Sequence, residues 1–142
     1  MDPKVPLVVP EVNPEDAKKH QGLIANPNCS TIQMVVALAP LHRQFKIRRV
    51  IVSTYQAASG AGSQATEALL AETAAALQKK PLPPAQAMPQ PIGFNVFPHI
   101  GPFQEMGYTS EEWKMVKETR KILHDEGMAI TATAVRVPVL DR

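Results

Sequence analysis

The chain holds a single cysteine among its 142 residues. One cysteine cannot close an internal disulfide, and it cannot furnish a thiolate-rich zinc site, so stapled scaffolds and zinc fingers are excluded and no metal centre is expected. Charge of one sign is also missing. Fifteen basic residues stand against 13 acidic ones, a net +2, which is too even to argue for nucleic acid or a membrane surface as partner. Aromatics are sparse at 5%, and no apolar run reaches the length of a membrane span. The opening "MDPKVPLVVP" is interrupted by prolines where a secretory signal would carry a longer apolar stretch, so a reducing, cytoplasmic setting is expected.

What is present is the composition of a folding domain: 44% apolar, 20% charged, and long enough for one core. "VPLVVPEVN" predicts a short strand over Leu7 to Val9 bounded by Pro6 and Pro10. From Cys29 to Ala39, Ile32, Val35, Val36 and Ala39 recur at helical spacing, with Pro40 marking the end. "FKIRRVIVSTY" predicts a strand with its second half buried on both faces, and the basic cluster "HRQFKIRR" at 42–49 reads as its solvated edge rather than a phosphate-binding surface. An alanine-rich helix is expected from Ser63 to Lys79. Between Pro81 and Pro102, seven of the 14 prolines impose a crossover, with one short strand in "GFNVF". "GYTSEEWKMVKETRKIL" predicts a helix capped by Thr109 or Ser110 and closed by basic residues, and "MAITATAVRVPVL" a long final strand. Alternating strands and helices without repeats predict an α+β fold, a mixed sheet with helices packed on it. The chain stops directly after the last strand, which suggests a piece of a larger protein.

Several residues bear chemistry. If Asn28 caps the helix, Cys29 stands in a first turn whose unpaired N–H groups favour negative charge, and the thiolate is the reactive form of cysteine. A small buried thiol is the equally simple alternative. "YQAASGAG" passes from a strand into a glycine-bearing turn and a helix; such backbone can approach a phosphate or cofactor ring, or can be only a flexible turn. Gln56 ends that strand, where it can meet a substrate or water. On the later helix Met115, Val116, Thr119 and Leu123 form the core face, with Lys114, Lys117 and Lys121 roughly opposite. Glu118 stands at the border, three residues before Lys121, and the bland alternative there is an exposed ion pair. On the last strand Arg136 has Ala134 and Ala132 beside it, room for a carboxylate on the guanidinium, although a solvent-facing arginine is the commoner case.

"VVPEVN", "NPNCSTIQ", "STYQAASGAG", "FNVFPHIG", "GYTSEEWKM", "ETRKIL" and "VRVPVL" occur in one order, and as an ordered set they closely resemble the aspartate-semialdehyde dehydrogenases over nearly the whole chain. The resemblance implies the catalytic and dimer-forming domain, with a fold like the C-terminal domain of glyceraldehyde-3-phosphate dehydrogenase. Cys29 matches the nucleophile and Gln56 the glutamine that orients the substrate. Glu118 and Arg136 match the pair holding the substrate's amino and carboxylate groups, Asn28 and Lys121 match phosphate-binding positions, and Ser59, Gly60 and Gly62 match the loop approaching NADP. The implied partners are aspartyl phosphate or aspartate semialdehyde, inorganic phosphate and a second copy of the chain. The implied place is lysine, threonine and methionine biosynthesis. The family's acid–base histidine follows the arginine of "VRVP" by seven residues, one beyond Arg142, and the dinucleotide-binding domain is not represented. Residues 1–142 alone are therefore expected to show no turnover. A related acyl-phosphate or acyl-CoA reductase and a non-catalytic dimerisation module are the rival readings.

Overall fold

A computed structural model describes residues 2–84 and 87–141. They form helices α1 (Cys29–Phe45), α2 (Ser63–Leu77) and α3 (Ser110–Leu123) and strands β1 (Arg49–Gln56) and β2 (Ala129–Arg136). The strands pair in parallel: the Ala129 N–H donates to the Arg48 carbonyl at 3.2 Å, and the Val137 N–H to the Gln56 carbonyl at 3.0 Å. An isolated antiparallel bridge joins Phe97 to Arg136 beside this two-stranded sheet; helices with a small parallel sheet bear out the α+β expectation, while the expected mixed sheet is reduced to that bridge. Two compact units result. One takes the chain up to Val52 with Glu111–Ala132, the other Ser53–Ser110 with the chain from Thr133 on.

In the first unit, α1 buries Thr31, Val35 and Ala39, and its cluster joins Leu7, Val9, Val12 and Ile122. The expected strand at Leu7–Val9 shrinks to one bridge between Leu7 and Ala25. A buried Asn13 ties this segment instead: its Oδ1 accepts from the Val9 N–H at 2.8 Å and its Nδ2 donates to the Leu7 carbonyl at 2.9 Å. Pro40 does not end α1. It lies inside the helix at an exposed position, as does Val36 four residues earlier, whose carbonyl loses its N–H partner to the proline. The helix stops at Lys46 instead, in the left-handed region at φ 56°, its N–H on the His42 carbonyl at 2.9 Å. The basic stretch 42–49 is thus mostly helix end and loop, not strand. A second cluster gathers Val50, Met115, Val116, Met128, Ile130 and Ala132.

β1 is buried on one face only. Val50 is inside while Ile51 is 71% exposed and Tyr55 76%, so among the described residues nothing covers the other side. β2 shows the same alternation, with Ile130, Ala132, Ala134 and Arg136 inside. It ends at Arg136, short of the predicted strand; Val139 and Leu140 are exposed.

In the second unit α2 starts after Gly62, whose φ of 94° suits glycine, and it ends two residues before Lys79. Its buried stripe, Ala65, Leu69 and Glu72, faces the crossover. There Ile92 and Phe97 pack with Ala58 and Leu69. The expected "GFNVF" strand is reduced to the Phe97 bridge because Phe94 turns left-handed at φ 56°. The part of the crossover at residues 85 and 86 lies outside the described residues. No described helix is long and apolar enough to cross a membrane.

Candidate active site

Cys29 is the first residue of α1, and it is exposed. The buried-thiol alternative is thereby removed. Asn28 caps the helix as its sequence position predicts: Oδ1 accepts from the Ser30 and Thr31 N–H groups at 2.9 and 3.3 Å. Two carboxyl groups of α3 hold the same residue from the other side. The Asn28 backbone N–H donates to Glu118 Oε2 at 2.9 Å, and its Nδ2 donates to Glu111 Oε1 at 2.8 Å. Asn28 is thus fixed through three groups, and with it the backbone that carries the thiol.

Glu118 is 9% exposed, so the exposed ion pair with Lys121 is not what forms. Lys121 Nζ instead donates to the carbonyls of Val5 and Asp2, at 2.8 and 3.2 Å. Burial pushes the Glu118 carboxyl above the ordinary glutamate range; the Asn28 N–H and the Lys114 charge pull against this without overcoming it. Glu111 went unnoticed in the sequence. The signal that could have found it is its seven-residue spacing from Glu118, which sets both acids on the face of α3 that Met115 and Ile122 bury.

In the second unit Arg136 closes β2 and is 5% exposed, which removes the solvent-facing alternative. Its Nη1 donates to the Ala57 carbonyl at 2.6 Å. A Cβ on Gly60 would lie 3.1 Å from that Nη1, so glycine lets the loop run against the guanidinium. Gln56 ends β1, its Nε2 donating to Thr54 Oγ1 at 3.2 Å. Ser59 is engaged twice by the last described residues: its N–H donates to the Leu140 carbonyl at 3.1 Å and its hydroxyl to Asp141 at 2.9 Å. Of the sequence-derived set, Asn28, Cys29 and Glu118 therefore meet in one unit, with Lys121 directed to backbone carbonyls; Gln56, Ser59, Gly60, Gly62 and Arg136 belong to the other.

An exposed thiol at a capped helix start stands here on an α+β domain whose class the comparison with known proteins defines. The chain belongs to the semialdehyde dehydrogenase family, in the part described as the dimerisation domain, whose profile matches residues 38–141. Its named relatives are aspartate-semialdehyde dehydrogenases. The one from Aquifex aeolicus (strain VF5) is 61% identical over 141 residues, covering 98% of this chain and 42% of that protein. Aspartate semialdehyde dehydrogenase II from Vibrio cholerae, solved in complex with ASA, superposes with a TM-score of 0.93 at 47% identity, covering 97% of this chain and 41% of that one. The Candida albicans enzyme, solved with NADP, gives a TM-score of 0.62 at 28% identity over 97% of this chain and 37% of its own. The chain spans about two-fifths of the length of the curated relatives it matches.

Proposed function

We propose that this chain is the catalytic and dimer-forming domain of an NADP-dependent aspartate-semialdehyde dehydrogenase. The observation that carries the reading is the exposed Cys29 thiol at the start of α1, with its neighbour Asn28 bound to the buried Glu118, in a chain of this family. Cys29 Sγ attacks the aldehyde carbon of aspartate semialdehyde; the C–S bond forms as the carbonyl π pair moves onto oxygen, and that oxygen takes the proton given up by the thiol to become the hydroxyl of a thiohemiacetal. The 60–62 turn would help hold NADP, which would supply the hydride acceptor for that carbon, and with the hydroxyl proton passing to water the Cys29-bound carbon becomes a thioester. A phosphate oxygen then attacks the thioester carbon, the C–S bond breaks, and Cys29 is released as thiolate beside aspartyl phosphate; biosynthesis runs the sequence in reverse.

The other roles follow the chemistry of each side chain. Arg136 receives the substrate carboxylate, for which a planar guanidinium offers two parallel donors. Glu118 offers its carboxylate to the substrate ammonium, and Gln56 orients the reacting group. Asn28 and Lys121 serve phosphate; for Lys121 this requires release from the Val5 and Asp2 carbonyls. The 60–62 turn fits NADP, since Gly60 presents bare backbone and no side chain caps the N-terminus of α2 after Gly62. Ser59 fits less well while its N–H and hydroxyl are taken. We further propose a cytoplasmic homodimer acting in lysine, threonine and methionine synthesis. The open face of β1, with Ile51 and Tyr55 exposed, and the family's dimerisation-domain description support the pairing.

The test is phosphate-dependent NADP reduction by the full-length protein that carries this chain, with aspartate semialdehyde as substrate. Turnover that a Cys29→Ala variant lacks is the expected result. Activity with another acyl phosphate or acyl-CoA substrate, and none with this one, overturns the specificity. Sedimentation as a monomer at high concentration removes the dimer.

A further inference from the structure

We propose that Glu72 is a positioning residue for Arg136, an inference that rests on Arg136 as the group that receives the substrate carboxylate. Glu72 is 2% exposed and sits in the otherwise apolar stripe of α2, where a carboxyl group is costly unless it holds something. What it holds is a corner of the proline-rich crossover. Its Oε2 accepts from two consecutive backbone N–H groups, Ile92 at 2.6 Å and Gly93 at 2.7 Å. Neither donor belongs to a helix or strand, so without this oxygen the fully buried Ile92 would leave its N–H unmet, a fault that proteins rarely tolerate.

From that corner the chain leads directly to Arg136. The Asn95 N–H closes a turn on the Ile92 carbonyl at 3.0 Å, and Phe97 then exchanges both backbone bonds with Arg136, 2.9 Å from the Arg136 N–H and 3.2 Å to its carbonyl. Ile92 and Phe97 share one buried cluster with Leu69 of α2, so the corner cannot slide without repacking. Gly93 is the residue that lets it sit so close. A Cβ there would come within 2.8 Å of Glu72 Cβ and 3.0 Å of the Thr73 nitrogen. The backbone of the arginine, at the end of β2, is therefore fixed through one bridge by an acid on α2.

The experiment compares kcat/KM for L-aspartate semialdehyde with that for 3-aminopropanal, which keeps the amine and aldehyde and lacks the carboxylate, in the full-length protein. Arg136→Ala should collapse the ratio between the two substrates. Glu72→Leu should lower it about 10- to 100-fold, the effect of a small misplacement, chiefly through KM for the carboxylated substrate. Adding Glu72→Leu to Arg136→Ala should lower it no further. Glu72→Gln, which keeps an acceptor oxygen, should stay near the parent. If Glu72→Leu does not fold, Gly93→Ala displaces the same corner and should shift the ratio in the same direction. Equal losses on both substrates, or an unchanged ratio in Glu72→Leu and Gly93→Ala while Arg136→Ala lowers it, overturn the positioning role. An unchanged ratio in Arg136→Ala overturns the reading of Arg136 itself, and the proposal with it.

Discussion

The thiol corner of the first unit and the guanidinium corner of the second are held at different points of the chain. Around Cys29 the supports are side chains: an asparagine cap gripped by two carboxyl groups of α3. Around Arg136 they include backbone, namely the Ala57 carbonyl and the Phe97 bridge, with a glycine that clears the way and the Glu72 carboxylate behind the bridge. The difference has a physical consequence. Glu118, which grips the Asn28 backbone, has its carboxyl raised by burial, whereas an arginine keeps its charge at any pH a protein survives. Geometry near the thiol should thus respond to the protonation of Glu118, and geometry near the guanidinium to changes in the chain path through Gly93 and Phe97.

The largest effects test each corner at its centre. In the full-length protein, Cys29→Ala should cost on the order of a thousandfold or more in kcat, read as loss of phosphate-dependent NADP reduction. Residual activity near the parent's would break the thiol's role. Arg136→Ala should cost about 2–5 kcal/mol in kcat/KM for aspartate semialdehyde while Cys29 still alkylates at the parent rate. A lost alkylation rate would mean that the two corners are not separately built.

Smaller effects sharpen the contrast within the first corner. Asn28→Ala removes the cap of α1 and should lower stability by about 0.5–2 kcal/mol in denaturant titration, with fraying at Cys29 seen in hydrogen exchange. The pH slopes are smaller still. Because burial raises the Glu118 carboxyl in the folded state, its stability contribution is complete below the ordinary glutamate range and is lost as pH rises through the raised value. The stability of the parent relative to Glu118→Gln should fall over that rise. Asp16 behaves oppositely. Burial would raise it, but hydrogen bonds from Lys19 and Asn13, with the charges of His124 and Lys19, outweigh burial and hold it below the ordinary aspartate value. Its contribution is present above that value and is lost as pH falls through the lowered one. Relative to Asp16→Asn the parent should therefore gain stability with rising pH in the most acid range. Two slopes of the same sign would contradict the assignment.

Local pattern made much of this legible. Cys29 opens α1 under Asn28 because a capping side chain followed by apolar residues at helical spacing defines a start without help from the rest of the chain. The amphipathic face of α3 and the glycine turn into α2 followed in the same way. Ends were harder to read. Pro40 looked like a stop, yet only the exposure of its position decided that the helix could pass it. The strand at "GFNVF" had the right residue types, and a left-handed Phe94 left it one bridge.

Residue spacing by itself therefore determined where helices begin, which faces turn inward and which side chains could do chemistry, since these depend on neighbours a few positions away. Tertiary structure alone decided that Glu118 is buried against Asn28 and is no surface partner of Lys121, that Glu72 braces a corner, and that Arg136 faces inward. Those outcomes depend on contacts between segments far apart in the chain, where burial and the supply of N–H and carbonyl groups set the energy, and no local periodicity records them.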